Sequence, residues 1–291
     1  AGYSTTGDII GTLGIYTTDY NEGLTGCGLS RLTSRDLVDA VVTQVSNDLT
    51  RTFGLWNRRQ LLDRNYGEWR DPMVAAVIVE MLSHQNWADM RMGHDPFFKF
   101  VLARAIYKGI LRHIAYTHNI QNPTVQPMPV SDLSAEVMMD KDQVRLSWEE
   151  TIDEYEKTAK PTHYVIYRAD GNRGFDNGTI VPANTTSVDI DIAENTLYRF
   201  MVTAVNSGGE SARSEEVCAY KASGISQNIL IVDGFQRIAG PKAFDTDSIG
   251  GFDMQVDAGV ADVKTPGFCG YQVNFDKKNY GKIDEQSYGF S

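Results

Sequence analysis

Hydrophobic and polar positions in the first third of the chain alternate between strand-like and helix-like patterns. Residues 11–18 predict a strand, and a helix that begins near Ser34 and ends at Gly54 follows it. The apolar positions of this helix recur every four residues: Leu37, Val41, Val45, Leu49 and Phe53. Alternation of this kind predicts helices that cover a sheet, which is the α/β class.

A second long helix is predicted after Asp95 and Pro96, because these residues form a favourable N-cap and first helical position. One stripe of it is expected to face a core: Phe98, Leu102, Ile106, Ile110 and Ile114. The cationic residues are expected on its other sides: Lys99, Arg104, Lys108 and Arg112.

Between these helices, the apolar run of residues 73–79 ends on the carboxylate of Glu80. The run predicts a strand that is buried on both faces, as in a parallel sheet. Ligands commonly bind at the carboxyl edge of such a sheet, which makes Glu80 the candidate catalytic residue of the chain. The alternative is a solvated strand end without chemistry.

The pattern changes after the prolines of a predicted linker at residues 121–129. Short alternating segments separated by Gly, Asn and Asp fill residues 130–223, which predicts an antiparallel sandwich. Trp148 and Tyr198, the latter followed by Arg-Phe-Met-Val-Thr-Ala-Val, resemble the core tryptophan and the tyrosine corner of a fibronectin type III module. Cys218 is expected to point inward on the last strand.

A third unit is expected at residues 227–291. Residues 228–235 resemble the opening strand of a further α/β domain, with Asp233 at the strand end. The residues beyond are rich in Gly, Asp and Tyr and predict no amphipathic helix. We therefore expect a multidomain chain that is a piece of a larger protein.

Charge and composition restrict the partners. The chain has 291 residues, a net charge of −11 and a pI near 4.9, and no basic run compensates for repulsion from phosphates, so no nucleic-acid partner is expected. Its apolar runs are shorter than the roughly 20 residues that span a bilayer. Three widely spaced cysteines predict neither a disulfide scaffold nor a cysteine-based zinc site.

Residues 1–120 resemble the carboxyl half of zinc-dependent N-acetylmuramoyl-L-alanine amidases, which hydrolyse the amide between muramic acid and the peptide stem of peptidoglycan. The matching positions are Glu80, Asn86 six residues later, and Ile106, Gly109 and Ile110 in the closing helix. The resemblance implies that Glu80 acts in the proton transfers. It also implies substrate-binding roles for Arg58, His84 and Asn86, of which Arg58 and Asn86 could instead hold the loop after the strand.

The same resemblance implies a zinc ion held by two His and a Glu. Those ligands are expected to precede residue 1 of this chain, and no metal ligands are predicted within it. The histidines His84, His94, His113 and His118 do not reproduce the spacing of the family. The chain by itself is therefore expected to have little or no amidase activity.

Two functions remain open at this stage. The first is a fragment of a secreted bacterial cell-wall hydrolase, with peptidoglycan or another glycan as partner. The second is a non-catalytic surface protein that binds glycan or mediates adhesion on a degenerate amidase-like fold. Both imply a secreted, periplasmic or cell-surface location, and the order of domains resembles that of large secreted bacterial proteins, some of them xanthan-lyase-like.

Overall fold

A computed structural model describes residues 10–83, 86–225, 227, 229–232, 240–253 and 256, and the backbone of two later strands at 272–276 and 282–283. The chain forms two compact units. One consists of Ala1–Ile120 together with Arg237–Ser291, and the other is Gln121–Gln236.

The first unit contains a three-stranded sheet and helices. Its elements in chain order are β1 (Leu13–Tyr16), a 3₁₀ turn (Asn21–Gly23), α1 (Leu32–Phe53), β2 (Leu62–Asp63), α2 (Gly67–Arg70), β3 (Ile78–Glu80), α3 (Trp87–Gly93) and α4 (Pro96–Thr117). The strand order is β2-β1-β3. Strands β1 and β2 are parallel, whereas β3 runs antiparallel to β1 and places Glu80 opposite Leu13.

The prediction of a doubly buried parallel strand at residues 73–79 is wrong. Only Ile78–Glu80 are strand, and these residues are half-buried. Because β1 is four residues long, it pairs with only the last part of the apolar run. The antiparallel direction places Glu80 at the edge of the sheet where β1 begins, instead of the edge where the parallel strands β1 and β2 end.

The core of this unit lies between α1 and α4. It confirms the apolar stripe of α1 and the first half of the stripe of α4: Val41, Val45, Leu49, Phe98 and Leu102 are buried. The second half of the α4 stripe is wrong, since Ile110 and Ile114 are 41% and 46% exposed. Lys108, expected on another side of the helix than this stripe, is buried in their place.

Gly109 explains this rotation of the buried face. A Cβ atom at Gly109 would lie 2.6 Å from the Cα of Val41, so the two helix backbones approach more closely than any other residue would allow. The close approach brings α1 against the side of α4 that carries Lys108 and His113. Lys108 forms an ion pair with Asp48 of α1 there.

Helix ends follow the sequence signals in part. Asp95 caps α4, since its side chain accepts hydrogen bonds from the backbone N–H groups of Phe97 and Phe98, as predicted. Gly54 ends α1 with a φ of 94°. Helix α1 begins two residues before Ser34, whose hydroxyl instead accepts a hydrogen bond from the backbone N–H of Ala76.

The second unit is an antiparallel sandwich. Its strands are β4 (Ser131–Met138), β5 (Gln143–Glu149), β6 (His163–Asp170), β7 (Thr179–Pro182), β8 (Ser187–Asp191), β9 (Leu197–Asn206), β10 (Gly209–Glu210) and β11 (Val217–Tyr220). One sheet has the order β4-β5-β8, and the other has the order β10-β9-β6-β7 with β11 paired to β9.

The sandwich confirms the core residues expected for it. Trp148 and Tyr198 are buried, and the Tyr198 hydroxyl accepts a hydrogen bond of 2.9 Å from the backbone N–H of Ala193, which closes a tyrosine corner. The expectation for Cys218 is wrong: β11 directs Ala219 inward, so Cys218 is exposed.

Part of the predicted linker is fixed to the sandwich. Val125 is buried, and its carbonyl oxygen accepts a hydrogen bond of 2.9 Å from the side-chain amide of Asn206. The backbone N–H of Val125 donates to the hydroxyl of Thr158. These contacts make the residues around Val125 part of the second unit.

A separate third α/β domain is not found in the described residues. Residues 229–232 form no strand and are exposed. An antiparallel sheet follows, formed by β12 (Ala243–Asp245), β13 (Ile249–Asp253), β14 (Gln272–Asp276) and β15 (Lys282–Ile283). Its Phe252 is buried and packs against the rings of Trp87 and His94, which lie at the two ends of α3. No described helix is long and apolar enough to cross a membrane.

Candidate functional site

Glu80 ends β3 beside the guanidinium of Arg59. The distance between Glu80 Oε2 and Arg59 Nη1 is 4.0 Å, and each side chain is 20% exposed. A charge-assisted hydrogen bond closes to about 2.7–2.9 Å. Lys108 and Asp48, for comparison, approach to 2.8 Å. The opposite charges of Glu80 and Arg59 therefore face each other, but their closest atoms are too far apart to form a hydrogen bond.

The extended segment before β2 places two adjacent arginines on opposite faces. The backbone N–H of Arg59 donates to the carbonyl of Thr12, which fixes this segment beside β1. The Arg58 side chain reaches α1, where it pairs with Asp39 and donates to the hydroxyl of Thr43. The contacts of Arg58 are thus with α1, whereas Arg59 faces Glu80.

Arg59 was not singled out by the sequence as a site residue. The signal that could have found it is the two-residue alternation of an extended segment: if Arg58 faces a helix, Arg59 faces the other side. The predicted substrate-binding role of Arg58 stays a prediction, with an ion pair to α1 as its described contact.

Asp89 is a buried carboxylate behind this pair. Its Oδ2 accepts hydrogen bonds of 2.8 Å from the backbone N–H groups of Gly11 and Ser83. Burial raises the pKa of Asp89, and the two hydrogen bonds and the positive charge of Arg59 partly oppose this increase. Asp89 therefore holds the residues before β1 against the residues that follow β3.

Asn86 is the N-cap of α3. Its side-chain oxygen accepts hydrogen bonds from the backbone N–H groups of Ala88, at 2.9 Å, and of Asp89, at 3.3 Å. Of the two roles expected for Asn86, these contacts correspond to holding the loop after the strand. His84, the other predicted substrate-binding residue, lies outside the described residues.

A chain of hydrogen bonds fixes the backbone just beyond Glu80. The indole N–H of Trp56 donates to the Thr12 hydroxyl at 2.9 Å, and this hydroxyl donates to the carbonyl of Met81 at 2.9 Å. These contacts tie Met81, the residue after Glu80, to Thr12, which lies just before β1.

The described residues do not fit a zinc ion. No group of three or more His, Cys, Asp or Glu side chains in the described part of the chain could hold a metal. Burial lowers the pKa of His94 to about 4, but the ring of this residue lies against Phe252 at 4.5 Å. No catalytic step is therefore assigned to zinc on the basis of these residues.

The pair presents complementary chemistry at one place. The Glu80 carboxylate accepts hydrogen bonds and can take up a proton, and the Arg59 guanidinium donates hydrogen bonds and carries a permanent positive charge. Neither side chain has a hydrogen-bond partner among the described residues. Such a pair can bind a neutral polar group that has both an acceptor and a site for a proton.

Comparison with known proteins identifies the second unit. Residues 128–219 match the model of the fibronectin type III domain family. No curated protein is similar enough in sequence to be matched.

Solved structures similar to this chain cover about a third of it. A structure titled "Myokine structure" is 22% identical over 33% of this chain and 99% of that chain, with a TM-score of 0.28. The FN1–FN3 domains of chicken CNTN1 are 18% identical over 33% of each chain, with a TM-score of 0.29. An FN3 domain of human collagen XX is 19% identical over 34% of this chain and 99% of that chain, with a TM-score of 0.26.

The family match coincides with the sandwich of β4 to β11 and with its tyrosine corner. Residues 128–219 are therefore a fibronectin type III domain, in a chain that also contains a helical unit with a small sheet.

Proposed function

We propose that the first unit is part of an amidase-type hydrolase that acts on peptidoglycan outside the cytoplasm, with Glu80 as its proton-transferring carboxylate. The observation that supports this proposal is the accessible carboxylate of Glu80, held on an anchored strand end beside Arg59 without a hydrogen-bond partner among the described residues. A carboxylate used only for structure would be expected to form close hydrogen bonds, as that of Asp89 does.

Glu80 would serve both halves of an amide hydrolysis. In the first half, a water oxygen attacks the carbonyl carbon and one proton of that water passes to Glu80. In the second half, Glu80 returns this proton to the amide nitrogen, the carbon–nitrogen bond breaks, and a carboxylic acid and an amine leave. The Glu80 side chain is 20% exposed, and its carboxylate lies beside the positive charge of Arg59.

The order of the elements also supports the amidase resemblance. The matching positions lie on consecutive elements: Glu80 ends β3, Asn86 caps α3, and Gly109 lies in α4. Gly109, one of the matching positions, is the residue that allows α4 to approach α1. Helix packing therefore explains why this matching position is a glycine in this chain.

The test is a substitution of Glu80 in the protein as its source produces it. Glu80→Gln keeps the size of the side chain but removes its ability to take up a proton, so we expect cleavage of the muramoyl–peptide amide to fall by about 10²–10⁴-fold. Glu68→Gln, at an exposed acid on α2, is the matched control and should keep full activity. The measurement is the release of free stem peptide from purified peptidoglycan.

Equal cleavage by the parent and by Glu80→Gln would show that Glu80 is not the catalytic carboxylate. Absence of any cleavage by the parent protein would overturn the hydrolytic proposal.

The second candidate is non-catalytic recognition of a surface glycan. This candidate requires no metal ligands, whereas hydrolysis by amidases of this type does. On this alternative, the protein would sediment with insoluble peptidoglycan without releasing peptide. Sedimentation combined with peptide release would instead support the hydrolase.

A further inference from the structure

The gap between Arg59 and Glu80 is the starting observation. The closest approach of the two side chains is 4.0 Å, whereas Lys108 and Asp48 approach to 2.8 Å. Both side chains extend from backbone segments that hydrogen-bond to Thr12. A polar group placed between them would gain hydrogen bonds that the pair does not make with itself.

Arg59 offers donors on its outer side. Its Nη1 is buried and has no hydrogen-bond partner, whereas the side chain as a whole is 20% exposed. The exposed part therefore belongs to other atoms of the side chain. Since Arg59 donates no side-chain hydrogen bond to a described residue, its outer N–H groups remain available to a ligand.

The surrounding charges determine what kind of ligand fits. The carboxylate of Glu80 lies 4.0 Å from Arg59, and the charge of Arg59 also acts on the carboxyl of Asp89. An anionic ligand at Arg59 would meet the negative charge of Glu80 at short range. A neutral carbonyl oxygen accepts from the guanidinium without this repulsion.

We propose that Arg59 binds the carbonyl oxygen of the amide that Glu80 acts on, and that Asp89 holds the segments on either side of this pair in register. The proposal rests on the proposed function for the class of ligand, an N-acylated muramoyl peptide. Arg59 is then the group that meets the negative charge that develops on the carbonyl oxygen during hydrolysis.

Arg35 provides the control. It has the same side chain, but it pairs with Asp36 at the protein surface. Substitution by lysine keeps the charge at either position but removes the planar donor fork of arginine. Any general effect of lost guanidinium chemistry should appear in both variants, and a specific effect should appear only at Arg59.

The experiment measures binding of N-acetylmuramoyl-L-alanyl-D-isoglutamine to the full chain by ¹H–¹⁵N NMR of the arginine Nε–H groups. In the parent protein, we expect the Arg59 signal to shift on addition of the probe while the Arg35 signal stays in place. Arg59→Lys should raise the Kd by about tenfold or more, since a hydrogen bond to a charged group contributes about 1.5–3 kcal/mol. Arg35→Lys should leave the Kd within about twofold of the parent value.

Three results would overturn the proposal: no binding of the probe by the parent chain, no shift of the Arg59 signal, or equal affinity of Arg59→Lys and parent. The parent spectrum decides the question even if Arg59→Lys fails to fold. Cleavage that depends on Glu80 but not on Arg59 would leave the hydrolase in place and remove this inference. Arg59-dependent binding without cleavage would support binding at Arg59 and remove the hydrolase proposal.

Discussion

Lys108 of α4 and Asp48 of α1 form an ion pair of 2.8 Å whose side chains are only 3% and 4% exposed. Gln44 donates a further hydrogen bond of 2.9 Å to the same carboxylate. The two longest helices of the first unit are thus joined by opposite charges inside their interface. A pair at this depth has lost its hydration, so each charge depends on the other.

Lys108→Met should lower the free energy of unfolding by about 3–5 kcal/mol, because it leaves the Asp48 carboxylate buried without its partner. The double variant Lys108→Met with Asp48→Leu should regain most of that loss, since no unpaired charge remains. Chemical denaturation followed by circular dichroism measures both changes.

Arg35→Met is the control for this prediction, because the ion pair between Arg35 and Asp36 is at the surface. We expect it to change the free energy of unfolding by less than about 1 kcal/mol. A similarly small effect of Lys108→Met would show that the pair does not contribute as the structure indicates.

Gly109→Ala should destabilise the first unit although alanine is the better helix former. Helix propensity favours alanine by about 1 kcal/mol. The new Cβ atom, however, would lie 2.6 Å from the Cα of Val41, and backbone cannot move aside as the end of a side chain can. Overpacking of this kind costs about 1–3 kcal/mol, so the clash should exceed the gain in propensity.

Gly174→Ala is the matched control, since a Cβ at Gly174 meets nothing within 4 Å. Thermal unfolding should show a lower midpoint for Gly109→Ala and an unchanged midpoint for Gly174→Ala. A higher midpoint for Gly109→Ala would mean that α1 and α4 are less closely packed than described.

His94 should make stability depend on pH between about 6.5 and 4. Burial lowers the pKa of His94 from 6.5 to about 4, so the folded protein keeps this ring neutral where the unfolded chain already binds a proton. The stability is therefore complete above pH 6.5, falls as the pH decreases towards 4, and then levels off. The loss should amount to at most about 3 kcal/mol.

The comparison of parent and His94→Gln isolates this effect, because Asp89 acts in the opposite direction. The raised pKa of Asp89 lets the folded protein bind a proton at a higher pH than the unfolded chain does. His163→Gln, in the fibronectin domain, is the control variant. Parallel pH curves of the parent and His94→Gln would contradict the assignment to His94.

The sequence-based predictions were most accurate for residue types that have one characteristic local role. Asp95 and Gly54 marked helix ends, and Trp148 and Tyr198 marked the sandwich core, because caps and core aromatics depend on few neighbours. Glu80 was placed correctly at a strand end, but the direction of its strand was not predicted. Whether a strand is parallel or antiparallel depends on its partner strand, and the hydrophobic pattern does not encode which strand that is.

The rest of the site depended on tertiary contacts that no local pattern contains. Arg59 and Asp89 meet near Glu80 only after the segments around Thr12 and Ser83 are brought together. The stripe of α4 failed at Ile110 for the same kind of reason, since the close approach at Gly109 selects a different face. Periodicity predicts that one face of a helix is buried but not how far that face is rotated by a close backbone contact.

The contact of Trp87 and His94 with Phe252 joins residues that lie on either side of the whole fibronectin domain in the chain. During synthesis, α3 therefore emerges from the ribosome long before β13, which carries Phe252. Trp87 and His94 lack this contact while the fibronectin domain is synthesised and folds, and in that interval their apolar surface can associate with other chains. In cells, folding would then require a chaperone. A circular permutation that places β13 before α3 in the chain would remove this requirement.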